Sequence, residues 1–281
     1  MLTPMSPLTV ILLVSGAACV FCWVASLLSG DTSWVDRSWS ILPVIYVWVF
    51  ASGAHLENAR LDVMAALVSV WGARLTFNFA RKGGYSGVED YRWGVLRSSM
   101  PKWRFQFFNL FFIVIYQNFI LVLLALPAWT AYQFRGTSFS VLDAVLAAVF
   151  LAFTVAETIA DEQQWRFQTW KRDEVAAGRS PGPRFIQSGL FRYSRHPNYF
   201  FEIGQWWILF LIAAVAAQSV LQWSLSGAIL LSLLFAGSTA FTEKITLSRY
   251  PEYALYQQRT SAIVPWPARP APPAVPVVQI E

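Results

Sequence analysis

The sequence predicts an all-α, polytopic integral membrane protein, on three observations. Its 281 residues are 56% hydrophobic and only 13% charged, about half the charged share of a soluble domain. The mean hydropathy is +0.45. The apolar residues also gather into runs long enough to cross, or nearly cross, a bilayer, which needs about 20 residues per helix.

Seven such runs follow one another: Leu8–Leu28, Ser38–Ala54, Leu61–Ala80, Phe105–Leu126, Phe139–Ala160, Tyr199–Ala217 and Leu221–Thr242. The first lacks a basic residue ahead of Leu8, so it is expected to be a retained span and not a cleaved leader. The second is short and contains Pro43. The sixth and seventh are separated only by polar residues around Gln218 and Gln222, which reads as a tight helical hairpin. A single transmembrane domain over 1–266 is expected, its polar half spanning 139–266. A Pro-rich tail over 267–281 cannot hold a helix and is expected to be disordered.

Loop charge then orients the bundle. Basic residues concentrate in Arg81–Arg104, in Asp161–Pro197 and after Lys244, whereas Trp129–Ser138 carries only Arg135. With seven spans these basic regions share one side, so the N-terminus is expected outside and the C-terminus in the cytoplasm. Topology explains the net charge of +5 better than nucleic-acid binding does, because the cations sit in a few loops between apolar spans. Cys19 and Cys22 lie one turn apart with no further Cys or nearby His, so they suit core packing and not metal.

Chemistry gathers at Gly189-Leu-Phe-Arg-Tyr-Ser-Arg-His-Pro-Asn-Tyr-Phe-Phe-Glu202, which is followed by Trp206-Trp207. Arg192, Arg195, His196, Asn198, Tyr199 and Glu202 fall within eleven residues beside an apolar run. Pro197 biases His196 away from the helical region, so a helix starts at or just after the proline. Asn198 and Glu202, four apart, then share a face. An ionisable residue one turn inside the membrane is costly and needs a partner; Arg195 or His196 is the nearest in sequence. Further polar groups lie at Glu157 and Asp161, at Trp71-Gly-Ala-Arg74 with Arg81 and Lys82, and over Glu243–Trp266, where Tyr253 and Tyr256 share a face with Arg249. Many arginines with a few carboxylates and tyrosines suit an anionic, multi-contact ligand. No G-x-G-x-x-G or phosphate-loop motif is present, and two histidines give neither a Ser-His-Asp arrangement nor a metal site.

The central motif resembles the signature of the steroid 5-alpha-reductase-like membrane proteins, and most closely their uncharacterised bacterial branch. Asp36-Arg-Ser-Trp39, Trp71-Gly-Ala-Arg-Leu75, Ala160-Asp-Glu-Gln163 and Arg259-Thr-Ser-Ala-Ile-Val-Pro-Trp266 extend the match over most of the chain. The resemblance implies a seven-helix enzyme, in a bacterial inner membrane, in which NADPH reduces a conjugated carbon–carbon double bond of a steroid-like or other lipophilic substrate. It assigns cofactor contacts to Asp161, Asn198, Glu202 and Tyr256, and to Arg74, Arg81 and Lys82. Arg192, Arg195, His196, Tyr199 and Arg259 join that candidate set from the motifs themselves. The steroid enzymes' ketone-polarising Glu and Tyr fall at Ile41 and Trp71, so no catalytic residue is assigned. Arg195-His-Pro-Asn-Tyr199, Glu243 and Tyr253-x-x-Tyr256-x-x-Arg259 also resemble the isoprenylcysteine carboxyl methyltransferases, which implies S-adenosylmethionine as the alternative coenzyme.

Overall fold

A computed structural model of the protein describes residues 5–270. Among them every regular element is helical, as expected of an all-α membrane protein. The chain divides into two compact units. One comprises the described residues up to Ala156 together with Phe201–Phe235; the other comprises Glu157–Phe200 and the described residues from Ala236 onward. The latter part of the expected Pro-rich tail, 271–281, lies outside the described residues.

The first unit begins with α1 (Pro7–Ser29). Ser6 caps it by accepting from the Thr9 N–H, Pro7 stands where a missing N–H costs nothing, and Gly30 ends it in the left-handed conformation. Only Ile11, Ser15, Cys22 and Ser26 of α1 are buried, while Leu12, Leu13, Val20, Phe21, Leu27 and Leu28 are exposed. Small and polar side chains turned inward, with large apolar ones outward, suit a helix whose surroundings are lipid.

α2 (Trp34–Trp39) and α3 (Leu42–Gly53) occupy the second expected span. Pro43 cannot sit inside a helix without removing one bond and clashing with the preceding turn, so the helix stops and restarts at Leu42. The 12 residues of α3 reach about 18 Å, short of the roughly 30 Å hydrocarbon core. Six helices of the described residues are long and apolar enough to cross a membrane: α1, α4 (Ala59–Arg81), α6 (Lys102–Gln133), α7 (Val141–Ala176), α8 (Pro197–Ala217) and α9 (Leu225–Arg249). The short α5 (Tyr91–Ser99) precedes α6, and α6 contains a π-helical stretch over Asn109–Tyr116 and Pro127 in its interior. α10 (Tyr253–Arg259) follows α9. The helices α7, α8 and α9 each run from one unit into the other.

Close backbone approach holds the first unit. A Cβ at Gly227 would lie 2.4 Å from the Leu123 carbonyl oxygen, and one at Gly72 would lie 2.7 Å from that of Ser40. Only glycine fits either contact. The core of this unit takes Tyr46 and Phe50 from α3, Met64, Val68 and Trp71 from α4, Leu121 and Leu124 from α6, and Leu209 and Ile212 from α8. α3 therefore serves as a core helix.

One ion pair is wholly enclosed. Arg60 Nε and Nη2 lie 2.8 and 2.9 Å from the two oxygens of Asp143. Arg60 also donates to Thr137 and to the Ser138 carbonyl, and the Ser140 N–H donates to Asp143. Each charge is satisfied by the other and by neighbouring dipoles, so removing one partner strands a buried charge at a cost of about 3–5 kcal/mol. Asp143→Leu should therefore lower the apparent Tm in detergent far more than the pair Arg60→Met with Asp143→Leu does. Equal losses would show that the pair is not the source of the stability.

Candidate functional site

In the second unit the central motif is built as a short pinned loop. Gly189 takes φ +63° and opens a 3₁₀ turn over Gly189–Arg192. A Cβ there would meet the Gln163 amide at 2.4 Å, and Gln163 Oε1 accepts from the Leu190 N–H at 2.9 Å. The Ala160–Gln163 motif thus fixes the start of the Gly189 motif.

The next residues are clamped from the other side of the sequence. Arg195 and His196 donate their backbone N–H groups to Ser261 and Ala262, at 2.8 and 3.0 Å, and Trp266 donates to the Tyr193 carbonyl at 2.9 Å. The fully buried Ser194 donates its hydroxyl to the Ile263 carbonyl at 2.7 Å and accepts from the His196 N–H. Pro197 then starts α8, where the sequence placed a helix start.

Glu243, near the end of α9, gathers this region. It accepts from Arg195 Nε and Nη2 at 2.6 and 2.9 Å, from Gln257 at 2.8 Å and from the Tyr253 hydroxyl at 3.3 Å. His196 Nε2 lies 3.1 Å from the same carboxylate. Arg195 sends its remaining nitrogen to the carbonyls of Gln257 and Thr260. Burial lowers the Arg195 pKa, but the hydrogen bonds and charge of Glu243 outweigh that and leave it raised. Tyr256 donates to the Phe191 carbonyl and stacks with Phe185, and His196 stacks on Tyr199 at 5.1 Å. Burial, ahead of the charges around them, pushes the phenols of Tyr253 and Tyr256 well above the ordinary tyrosine range.

A cleft of about 440 Å³ opens beside this network. Its wall includes Arg195, Gln257, Gln258, Arg259, Ser261, Trp266 and Arg269, with no carboxylate among the described residues. Arg259 and Arg269 are exposed, and the Arg269 N–H donates to the Arg259 carbonyl at 2.8 Å, so this part of the tail folds back along the cleft. Among the described residues no carboxylate lies within ion-pair distance of Arg259 or Arg269.

Glu202 is placed differently from the sequence expectation. Its partners are neither Arg195 nor His196, whose carboxylate is Glu243. Within the first unit, Glu202 Oε2 accepts from the Trp71 indole at 2.8 Å and from Arg74 at 3.1 Å, and Oε1 accepts from Trp206 at 3.1 Å. The two indoles meet edge to face at 4.8 Å. Trp71 and Arg74 come from the Trp-Gly-Ala-Arg motif of α4, so that helix supplies the counter-ion. Arg81 donates to Asn78 at 3.0 Å, and Lys82 is exposed at the end of α4.

The other candidates scatter more. Asp161 is buried on α7, Asn198 and Tyr199 are half-buried at the start of α8, and Arg192 is exposed and does not line the cleft. Asp36, from the Asp36–Trp39 motif, accepts from the Trp93 indole at 2.9 Å. Burial, then the charge of Asp90, holds its carboxyl above the usual range. Glu243 was absent from the candidate cofactor set, as were Ser194, Gln257, Ser261, Trp266 and Arg269. The reasoning applied to Glu202, that a carboxylate at the edge of an apolar run needs a named partner, flags Glu243 as well.

A family model described as a protein of unknown function (DUF1295) matches residues 22–260. The chain belongs to this family. It is also similar to an uncharacterised protein of the fission yeast Schizosaccharomyces pombe, 36% identical over 279 residues, covering 92% of this chain and 80% of the yeast protein. No solved structure matches the chain. The helices carry multi-pass membrane insertion. The relative is a yeast protein, so family membership does not by itself place a chain in a bacterial membrane.

Two outcomes follow from the Glu243 network. Glu243→Ala should cost about 3–5 kcal/mol, because it leaves the enclosed Arg195 guanidinium without its counter-ion, while Glu243→Gln costs less. Thermal unfolding in detergent reads both, and an unchanged Tm for Glu243→Ala would refute the assignment. Because folding holds Tyr253 and Tyr256 neutral, their contribution is complete below the unfolded tyrosine value of about 10 and is lost as pH rises beyond it. Wild-type protein should therefore lose stability more steeply above that pH than Tyr253→Phe/Tyr256→Phe does, and parallel profiles would contradict this.

Proposed function

We propose that the chain is a membrane-embedded, NADPH-dependent reductase acting on an activated carbon–carbon double bond of a steroid-like or other lipid. The observation that carries this reading is the cleft in the second unit, with three arginines in its wall and no carboxylate. Its volume of about 440 Å³ falls in the range of small-molecule sites, roughly 300–1,000 Å³, and suits the adenosine-phosphate half of the coenzyme.

The residues present fit that group. Arg259 and Arg269 offer planar forks for phosphate oxygens. Trp266, 68% exposed at the cleft wall, offers a face for adenine, and Gln257 and Ser261 offer hydrogen bonds to ribose. Arg195 has its donors taken up by Glu243 and backbone carbonyls, so it acts as a positioning residue. When bound, NADPH supplies the reducing equivalent; the chain binds it, orients it and keeps water from the reacting atoms. Support also comes from the resemblance of the Gly189–Glu202 motif to the steroid 5-alpha-reductase-like proteins. The substrate side departs from that pattern. Ile41 is apolar and the Trp71 N–H is committed to Glu202, so neither polarises a ketone. The orientation proposed places the cleft in the cytoplasm.

Methyl transfer from S-adenosylmethionine is the second reading. It draws on the convergence of Glu243, Tyr253 and His196 in one network with Arg195, the residues shared with the methyltransferase resemblance. A sulfonium cofactor without phosphates is matched less well by a cleft that holds no carboxylate.

Thermal-shift titration of the detergent-purified protein separates these readings. A coenzyme at about one hundred times its Kd stabilises by about 2.7 kcal/mol. NADPH should stabilise more than NADH, and Arg259→Ala and Arg269→Ala should each weaken NADPH binding by about one to two orders of magnitude, as loss of one charge-assisted hydrogen bond of about 1.5–3 kcal/mol implies. A shift with S-adenosylmethionine alone would favour methyl transfer. No shift with any of the three would remove the enzyme reading.

A further inference from the structure

A second cationic groove lies in the same unit, between the end of α7 and the end of α9. It measures about 390 Å³, and Gln168, Lys171, Arg172, Arg249 and Tyr250 line it, with Val175 and Ala176 as its apolar wall. It shares no lining residue with the cleft above.

The charges here are concentrated on one ring. Lys171 Nζ lies 3.1 Å from the Tyr250 hydroxyl and 4.7 Å from its ring centroid. The guanidinium carbons of Arg249 and Arg184 lie 5.6 and 5.9 Å from the same centroid. Lys171 is further fixed by donating to the Arg184 carbonyl at 2.6 Å. The ion pair formed here is a long one, Arg184 with Glu252 at 3.7 Å. Among the described residues no carboxylate lies within ion-pair distance of Lys171, Arg172 or Arg249.

Ordinary structural needs explain only part of this. Cations near helix C-termini offset the negative end of the helix dipole, by about 0.3–1 kcal/mol each. That accounts for Arg249, in the last turn of α9, but not for Lys171 and Arg172, which lie ahead of the last turn of α7. It does not require Lys171, Arg184 and Arg249 to converge on one tyrosine, where each repels the others and the ring returns only about 0.5–1 kcal/mol per contact at an exposed site. Lys171 also lowers the Tyr250 pKa by hydrogen bonding to its hydroxyl, a further sign of excess positive field.

We propose that this groove binds a phosphomonoester, the dianionic headgroup of a phospholipid or the phosphate of a soluble metabolite. Its three acceptor oxygens match the Lys171 ammonium and the guanidinium forks of Arg172 and Arg249, which line the groove, whereas a carboxylate would satisfy a single fork. Gln168 and the Tyr250 hydroxyl supply neutral donors beside them. The site is separate from the coenzyme cleft and does not depend on that assignment.

The test uses the full chain in detergent with two probes, glycerol 3-phosphate and short-chain phosphatidate, with glycerol and short-chain phosphatidylcholine as controls. Binding is read by thermal shift and by native mass spectrometry. The wild type should bind phosphatidate saturably and the controls not at all. Arg172→Ala and Arg249→Ala, both at exposed positions, should each weaken binding about tenfold, whereas Arg259→Ala should leave it unchanged. Binding of both probes assigns a free phosphate as sufficient, and binding of phosphatidate alone assigns a lipid headgroup. Saturable binding by neither probe, or unchanged affinity in the double variant Arg172→Ala/Arg249→Ala, would each overturn the phosphate site.

Discussion

The carboxylate of Glu243 is the constraint on which the second unit depends. Arg195 and His196 approach it from the Gly189 motif, and Tyr253 and Gln257 from α10, two segments that are far apart in sequence. Neither segment is a long helix, and neither has enough apolar surface to order itself. The Arg195–His196 pair is held in an extended turn, α10 has seven residues, and the chain beyond Thr260 is irregular. One acceptor shared by four donors gives them a common reference point. Tyr256 and Phe185 add aromatic packing around it. The consequence is chemical as well as structural. Arg195 is neutralised by Glu243, so the positive field of the cleft comes from Arg259 and Arg269, which stay exposed to a ligand.

Glu202 plays the corresponding part in the first unit. Its oxygens accept from two indoles and Arg74, with the Trp71 and Trp206 rings packed against each other. A carboxylate engaged in this way is held in place and has little freedom to act as an acid. Both units thus use the same device, a carboxylate near the end of an apolar helix whose charge is satisfied by an arginine and neutral donors. The Arg60–Asp143 pair repeats it at full burial.

Much of the fold was legible because hydrophobic length is a strong signal in a membrane chain. Six of the expected spans correspond to long helices, and their starts follow Ser6, Asn58 and Pro197. The Ser38–Ala54 run was less legible, because Pro43 falls at the start of a twelve-residue α3 that supplies core side chains. The extent of α7 was also hidden: its polar second half, past Ala160, reads as loop by charge but continues as helix to Ala176. At the site, local spacing gave the helix start at Pro197 and the cluster Arg195–His196. It could not give the partners. Arg195 lies 48 residues from Glu243, and Glu202 lies 131 from Trp71. Periodicity carries no information across such distances, and nearest-in-sequence pairing therefore chose Arg195 for the wrong carboxylate.

The central claim is that the arginine-lined cleft beside the Glu243 network receives an adenine-bearing coenzyme. Hydrogen–deuterium exchange of the detergent-purified chain, with and without saturating NADPH, tests it most directly. The account predicts slowed exchange in the peptides covering 193–196 and 257–269, with 168–176 unaffected. Unchanged exchange across 257–269, or protection confined to another part of the chain, would contradict it.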